Sequence, residues 1–255
     1  MKVISTETRE EAWLKAVNHL KNNAAHKTEY NLIIEVTQPA LSNDRTRVIR
    51  TSFDKFLQLN NEFSVQTVAD TIFPAALYKK HGAEGVYTIY PEEVYPKIKK
   101  IRANQRDTYA MRTVRGTNAK GQEMNPLKEV VSRLSKIANT KRGVRCAHEI
   151  SLDDSESIPI NQNDRSLYGF PCLSHLSFKL SHDRETLHLT AIYRSQFFIQ
   201  KAMGNLLGLA RLQDFVCREI GTKMGTLVCH ATYAWLDDDK GKGAAFGTLL
   251  KSLED

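Results

Sequence analysis

The chain has 255 residues, of which 41% are hydrophobic and 25% charged, an ordinary composition for a globular protein with one large core. No apolar run approaches the ~20 residues that span a bilayer, and the N-terminus lacks a signal-peptide stretch, so we expect cytoplasmic residence. The four cysteines and eight histidines show no spacing typical of a disulfide framework or a metal site, and we therefore predict no metal.

The net charge of +7 raises the question of a nucleic-acid partner. The basic residues are dispersed apart from one cluster, Lys97 to Arg106, and no nucleic-acid motif accompanies it. A solvated basic face or an anionic small molecule explains the excess, so we expect neither nucleic acid nor membrane as a partner. Action on nucleic acid stays the weakest alternative.

Periodicity and capping residues predict the elements of the first half. Thr8 begins a capping box before the helical spacing of Trp13, Leu14, Val17 and Leu20. We then predict a buried strand at 31–36, a short helix at 53–59, a helical segment at 65–78 interrupted by Pro74, a strand at 86–90, a helix that Pro91 opens, and a strand at 109–113.

The second half begins with an amphipathic helix that Asn125 caps and Pro126 starts. We then predict a strand at 144–150, an exposed loop at 151–168, two alternating strands around the polar turn 181–185, a buried helix at 196–220, a strand at 226–229 and a helix at 244–253. The predicted fold class is α+β: a single domain with a mixed or antiparallel twisted sheet and a long buried central helix.

The hairpin around 181–185 has a chemical consequence. Antiparallel pairing brings Cys172, before the first strand, close to Arg194, after the second. A neighbouring guanidinium favours the ionised form of a thiol, so Cys172 is a candidate thiolate nucleophile. A lone cysteine is more often a buried, inert residue, and that alternative stays open at this point.

Three features in this region resemble one family: Pro171-Cys172, Tyr193-Arg194-Ser195, and Asn205 eleven residues after Arg194. Their order and spacing resemble the core of the thymidylate synthase superfamily, which includes the pyrimidine nucleotide hydroxymethylases. The resemblance covers roughly residues 140–236, with a fainter echo at 65–134. It implies that Cys172 adds to a pyrimidine ring, that Arg194 and Ser195 hold the nucleotide phosphate, and that Asn205 reads the base.

The resemblance also implies further residues and partners. Arg142 resembles an arginine that reaches the phosphate across a dimer interface, so a homodimer is expected. Tyr109 resembles a tyrosine near the cysteine, and Asp70 lies near the place of a proton-managing glutamate, although a helix-surface carboxylate is an equal interpretation. Asn205, where cytosine enzymes of the family carry aspartate, indicates uracil. The implied cofactor is 5,10-methylenetetrahydrofolate, and residues 1–255 would form one thymidylate-synthase-like domain.

The chain departs from the family pattern at positions that, by the resemblance, concern the folate cofactor and the recognition of the sugar hydroxyl. Leu173 stands in place of a histidine, Phe197 in place of an aspartate that helps hold folate, and Trp235 and Asp237 in place of a His-x-Tyr pair. Two functions therefore follow from the sequence. The first is a pyrimidine nucleoside monophosphate C5-transferase for a methyl or hydroxymethyl group. The second is a catalytically inactive nucleotide sensor or regulator.

Overall fold

The computed structural model describes residues 1–101, 104, 107–118, 120–140, 143–144, 148–152, 171–238 and 242–254. The first elements are β1 (Lys2–Thr6), α1 (Arg9–Asn22), a 3-10 turn (Ala25–Lys27), β2 (Thr28–Val36), α2 (Asp44–Leu59), α3 (Val65–Asp70), α4 (Ala75–Glu84), a π-helical segment (Gly85–Val94), α5 (Tyr95–Ile98) and α6 (Tyr109–Val114). They are followed by β3 (Gly116–Thr117), β4 (Glu123–Met124), α7 (Pro126–Thr140), β5 (Glu149–Ser151), β6 (Leu173–Leu180), β7 (Thr186–Tyr193), β8 (Gln196–Phe197), α8 (Ala202–Ile220), β9 (Lys223–Trp235) and α9 (Lys242–Glu254).

The main sheet has the strand order β1-β2-β9-β7-β6-β5, and β8 pairs with the end of β9. β1 runs parallel to β2, and both β7 and β8 run parallel to β9, whereas β2–β9, β6–β7 and β5–β6 are antiparallel. The prediction of an α+β fold with a mixed sheet is therefore confirmed.

Strand register separates the two faces of this sheet. One row of paired residues crosses six strands and is buried throughout: Ile4, Ile34, Cys229, Ala191, Leu176 and Ile150. The adjacent row, one residue along each strand, is partly or fully exposed: Val3, Ile33, His230, Ile192 and His175. Because side chains alternate between faces, helices cover the first row and leave the second accessible.

Helix α8 is the centre of the covering layer. It contacts α1, α3, α7, β7 and β9, and nearly all of its residues are buried. Trp13 of α1 donates its indole N–H to the carbonyl of Phe198 at 2.7 Å, which ties the α1 helix to the chain just before α8. The described residues share one continuous hydrophobic core, and no helix among them is long and apolar enough to cross a membrane.

Helices α3 and α8 approach closely because two glycines face α3. A Cβ atom on Gly204 would lie 2.5 Å from the Cβ of Val68, and one on Gly208 would lie 2.8 Å from the carbonyl oxygen of Ala69. Contacts shorter than 3 Å leave no room for a side chain. The Gly-x-x-x-Gly spacing therefore allows α3 to pack directly on the backbone of α8.

Two predicted strands are wrong. Residues 86–90 lie in the π-helical segment, and residues 109–113 lie in α6. A short apolar run has no periodicity that separates a strand from a buried helix. The capping signal was present at Thr108, whose hydroxyl accepts the backbone N–H of Met111 at 3.1 Å.

Other predictions were correct in type but not in extent. Helix α2 begins at Asp44, well before residue 53, because Asn43 and Thr46 form a capping box. The helix predicted at 196–220 begins at Ala202, since residues 196–197 pair with β9, and β9 itself spans 13 residues. Strand β1 was missed. Residues 145–147 and the predicted loop at 153–168 lie outside the described residues.

The prediction that Pro91 opens a helix is wrong, because Pro91 lies inside the π-helical segment Gly85–Val94 and α5 begins only at Tyr95. The remaining predicted elements are confirmed. They are α1 with its Thr8 cap, strand β2, the interruption at Pro74 between α3 and α4, helix α7, the β6–β7 hairpin and helix α9.

Candidate active site

A cavity of about 570 Å³ lies where α3, α6, the strand ends around β8, and the start of α8 meet. Five of the seven residues singled out in the sequence line it: Asp70, Tyr109, Cys172, Ser195 and Asn205. Arg194 contacts the side chain of Cys172 and is not among the lining residues of the described chain. Arg142 lies outside the described residues. The volume is typical of a site for a small organic molecule.

The β6–β7 hairpin brings Cys172 and Arg194 together. Leu173 pairs with Tyr193, and the backbone N–H of Arg194 donates to the carbonyl oxygen of Cys172 at 2.9 Å. The guanidinium of Arg194 also hydrogen-bonds the thiol. Thr232 of β9 donates its hydroxyl to the carbonyl of Arg194 at 2.7 Å, so the end of β7 is held on both sides.

The electrostatics of Cys172 correct one expectation. Burial raises the pKa of the Cys172 thiol, and this effect outweighs the opposing influence of Arg194, Tyr109 and Lys201. Arg194 does favour the thiolate, as its charge requires, but the sulfur lies in a partly dehydrated position. The ligand-free protein therefore holds Cys172 as a thiol rather than a preformed thiolate.

Tyr109 is the first residue of α6 and lies against the cysteine. Its hydroxyl oxygen accepts the backbone N–H of Leu173 at 3.4 Å, and it hydrogen-bonds the sulfur of Cys172. Its ring meets that of Tyr193 edge-on, with the ring centroids 6.4 Å apart. Burial is the main reason why the pKa of Tyr109 is raised to about 12, so the phenol remains protonated and can donate to the sulfur.

Asn205 lies in the first turn of α8, and its side chain lines the cavity although the residue is only 4% exposed. Its backbone N–H donates to the carbonyl of Lys201 at 2.8 Å. The carboxamide makes no hydrogen bond to any described residue. Its amide atoms are accessible from the cavity, so a ligand that supplies both a donor and an acceptor can meet them there.

Asp70 ends α3. Its position agrees in part with each of the two interpretations made from the sequence, a carboxylate near the base and a carboxylate on the helix surface. It lines the cavity, but its side chain is 44% exposed and is paired with Arg211 at 3.3 Å. Gln66 donates to the same carboxylate oxygen at 2.7 Å. These contacts hold the carboxylate on the cavity rim as an acceptor.

The residues that depart from the family pattern have clear structural roles. Leu173 is fully buried, so it points away from the cavity. Phe197 is 36% exposed, lines the cavity and meets Trp235 with ring centroids 5.3 Å apart. Asp237 is buried and accepts the backbone N–H groups of Ile199 at 2.7 Å and Gln200 at 3.1 Å, which positions the segment before α8. Burial raises the pKa of Asp237.

Sequence reasoning missed several polar lining residues, among them Asp107, Arg112, Gln196 and Lys201. Lys201 could have been found from its position, because it lies four residues before Asn205 and therefore on the same face of the helix. Gln196 had no such signal, since its burial depends on the pairing of β8 with β9.

Comparison with known proteins gives a partial match. No protein-family model matches the chain. A protein named "Putative thymidylate synthase" from Methanocaldococcus jannaschii is 24% identical over 110 residues, which is 43% of this chain and 46% of that protein. Proteins of the same name from Methanococcoides burtonii and Methanosarcina barkeri are each 32% identical over 75 residues, which is 29% of this chain and 34% of the relative. The chain thus spans less than half the length of these relatives.

Proposed function

We propose that the protein is a thymidylate-synthase-like transferase that binds a pyrimidine nucleoside monophosphate and places a methyl or hydroxymethyl group on ring carbon 5. The observation that carries the proposal is the meeting of Cys172, Tyr109 and Asn205 around one cavity, with Arg194 behind the sulfur. The partial similarity to three archaeal proteins named as putative thymidylate synthases supports the same reaction class.

The chemistry begins at Cys172. Uracil is an α,β-unsaturated carbonyl compound, so a thiolate can add to carbon 6 and make carbon 5 nucleophilic. Arg194 and Tyr109 both favour the anionic sulfur, which offsets part of the cost of ionising a buried thiol. The carboxamide of Asn205 matches the adjacent acceptor and donor of a uracil edge, and this supports a uracil base.

The phosphate of the nucleotide would bind near the sulfur. Arg194 and the hydroxyl of Ser195 are its proposed partners, and guanidinium geometry suits a bidentate contact with phosphate. Arg142 would come from a second copy of the chain. The accessible sheet row supports an isologous homodimer, because Val3, Ile33 and Ile192 present apolar side chains there beside His230 and His175.

The one-carbon donor is proposed to be a reduced folate, of which 5,10-methylenetetrahydrofolate is the implied form. The cavity wall fits its flat ring system, because Phe63, Phe197, Ile98 and Ile101 give it an apolar side. Phe197 would offer stacking in place of the carboxylate that relatives use. When bound, the folate supplies the one-carbon group, and the residues of this chain hold and orient the nucleotide.

Tritium release tests the proposal. The parent protein is incubated with 5-tritiated dUMP, UMP, dCMP or CMP and a tetrahydrofolate donor, beside Cys172→Ala and a matched Cys217→Ala control. Cys217 is also a buried thiol, but it does not line the cavity. We expect release with the parent and Cys217→Ala and none with Cys172→Ala. Absence of release from all four nucleotides would refute the proposal.

A second function, a catalytically inactive nucleotide sensor, is favoured by one observation: the pKa of Cys172 is raised in the ligand-free site. A sensor would gain thermal stability from monophosphates by mass action but would form no covalent adduct with 5-fluoro-dUMP. An adduct on Cys172, detected by mass spectrometry of the intact protein, would exclude the sensor.

A further inference from the structure

Lys201 is a charged residue of the cavity to which no role has been assigned above. It is the last residue before α8, it lines the same cavity as Cys172, and its ammonium lies 5.2 Å from the ring centroid of Phe63. The ammonium of Lys201 makes no hydrogen bond or ion pair with any described residue. The nearby carboxylates are engaged elsewhere, since Glu62 pairs with Lys242 and Asp237 accepts two backbone N–H groups.

This position is costly for a cation in the absence of ligand. Burial lowers the pKa of Lys201, and Glu62, Asp237 and Cys172 only partly oppose that effect. A cation over an aromatic face gains about 0.5–2 kcal/mol, which is less than an ion pair with a bound anion can supply. The arrangement is therefore better satisfied when a negatively charged oxygen enters the cavity.

Helix α8 indicates which oxygen of a bound base would be the negatively charged one near Lys201. Lys201 and Asn205 are four residues apart at the start of α8, and both side chains line the cavity. A uracil whose polar edge meets the carboxamide of Asn205 has the carbonyl oxygen on carbon 4 in that edge. Lys201 and Cys172 line the same cavity, and each charge influences the pKa of the other group, so the ammonium and the sulfur can face one ligand.

We propose that Lys201 contacts the pyrimidine oxygen that becomes negative when Cys172 adds to the ring, and that it is a catalytic residue of this site. The inference rests on the proposed function. In the step concerned, the sulfur forms a bond to carbon 6 and the electron pair of the 5,6 double bond moves towards the oxygen on carbon 4. The thiol proton of Cys172 passes to solvent water before this addition, so the attacking species is the thiolate, and Lys201 remains an ammonium ion that stabilises the enolate oxygen.

The test separates catalysis from binding. Lys201→Met and Lys201→Arg are compared with the parent and with Lys99→Met, a matched control because Lys99 also lies over an aromatic ring, 5.6 Å from the centroid of Tyr95, but does not line the cavity. Two quantities are measured. The affinity for dUMP is measured by calorimetry, and the rate of covalent adduct formation with saturating 5-fluoro-dUMP is measured by mass spectrometry of samples quenched at successive times.

We expect Lys201→Met to slow adduct formation about 100-fold, the typical effect of losing one donor to a developing oxyanion, with a much smaller change in dUMP affinity. Lys201→Arg should recover part of the rate because it keeps the charge, and Lys99→Met should match the parent.

The outcomes are distinguishable. If the parent forms an adduct and Lys201→Met forms it at a rate within about twofold, this inference is wrong while the proposed function stands. If Lys201→Met loses affinity and keeps the saturated rate, Lys201 is a ground-state binding residue and the inference is also overturned. A parent that forms no adduct overturns both proposals. If Lys201→Met fails to fold, a Lys201→Arg variant with the parent's rate supports the role of the charge, and one as slow as an uncatalysed thiol refutes it.

Discussion

Substitution of Gly204 by alanine tests whether the contact between α3 and α8 holds the cavity wall in place. The added Cβ would lie 2.5 Å and 2.6 Å from the Cβ and Cγ1 atoms of Val68, and 2.9 Å from the carbonyl oxygen of Val65. Val68 is β-branched, so it has little rotamer freedom in a helix, and the carbonyl belongs to the backbone. The clash can therefore be relieved only by moving α3 away from α8.

Two opposing effects set the change in the free energy of unfolding. Overpacking of a tight contact costs roughly 1–3 kcal/mol, and three approaches below 3 Å place this site in the upper half of the range. Replacing glycine by alanine inside a helix returns about 1 kcal/mol of helix propensity. We therefore expect a net loss of about 1–2 kcal/mol, which corresponds to a fall of roughly 2–8 °C in Tm for a domain of this size.

The assay is urea denaturation followed by circular dichroism, with Gly247→Ala as the matched control. Gly247 also lies inside a helix, α9, but the nearest atom to its added Cβ is the flexible end of Lys21 at 2.9 Å. Gly247→Ala should be neutral or stabilising by up to about 1 kcal/mol. A Gly204→Ala variant as stable as Gly247→Ala would refute the packing argument.

Two further predictions concern the thiol and a buried amide. Because burial raises the pKa of Cys172, its alkylation by iodoacetamide in the ligand-free protein should have a midpoint above the ordinary value of about 8.5, and Arg194→Met should raise it further. Gln213→Met removes hydrogen bonds from the amide nitrogen to the carbonyls of Leu187 at 2.8 Å and Gly225 at 3.0 Å, so unfolding in urea should show a loss of about 2–4 kcal/mol.

The raised pKa of Cys172 also makes the stability of the folded protein depend on pH. The folded protein holds the Cys172 proton more tightly than the unfolded chain, so this contribution to stability is present below the ordinary thiol pKa and is lost as the pH rises through the folded value. A midpoint below that of a free cysteine would show that Arg194 outweighs burial. For Gln213, a loss below about 0.5 kcal/mol would mean that water or a neighbouring donor satisfies both carbonyls.

The sequence predicted best what depends on neighbours along the chain. The hairpin, the capped helix after Thr8 and the helix that Pro126 starts all follow from local periodicity and caps, and these patterns placed Cys172 beside Arg194. The same local signals also placed Asn205 on a buried helix. A candidate site could therefore be assembled from separate stretches because each stretch had a clear pattern of its own.

What the sequence could not predict depends on the packed state. The raised pKa of Cys172 results from burial, which no spacing of residues reveals. Residues 109–113 form a helix whose position is fixed partly by a hydrogen bond from the N–H of Ala110 to the carbonyl of Thr71 at 2.8 Å. Strand β1 was missed because its pairing partner, β2, begins more than 20 residues later and no turn connects them.

The position of β9 has a consequence for how the chain reaches its folded state. Strand β9 lies between β2 and β7, so its pairings with both strands wait for residues 223–235, which follow every other strand of the sheet along the chain. Until then β1 and β2 have an unpaired edge, and contacts of such long separation in sequence form slowly. Nascent chains of this protein therefore emerge with exposed strand edges, the kind of surface that chaperones bind.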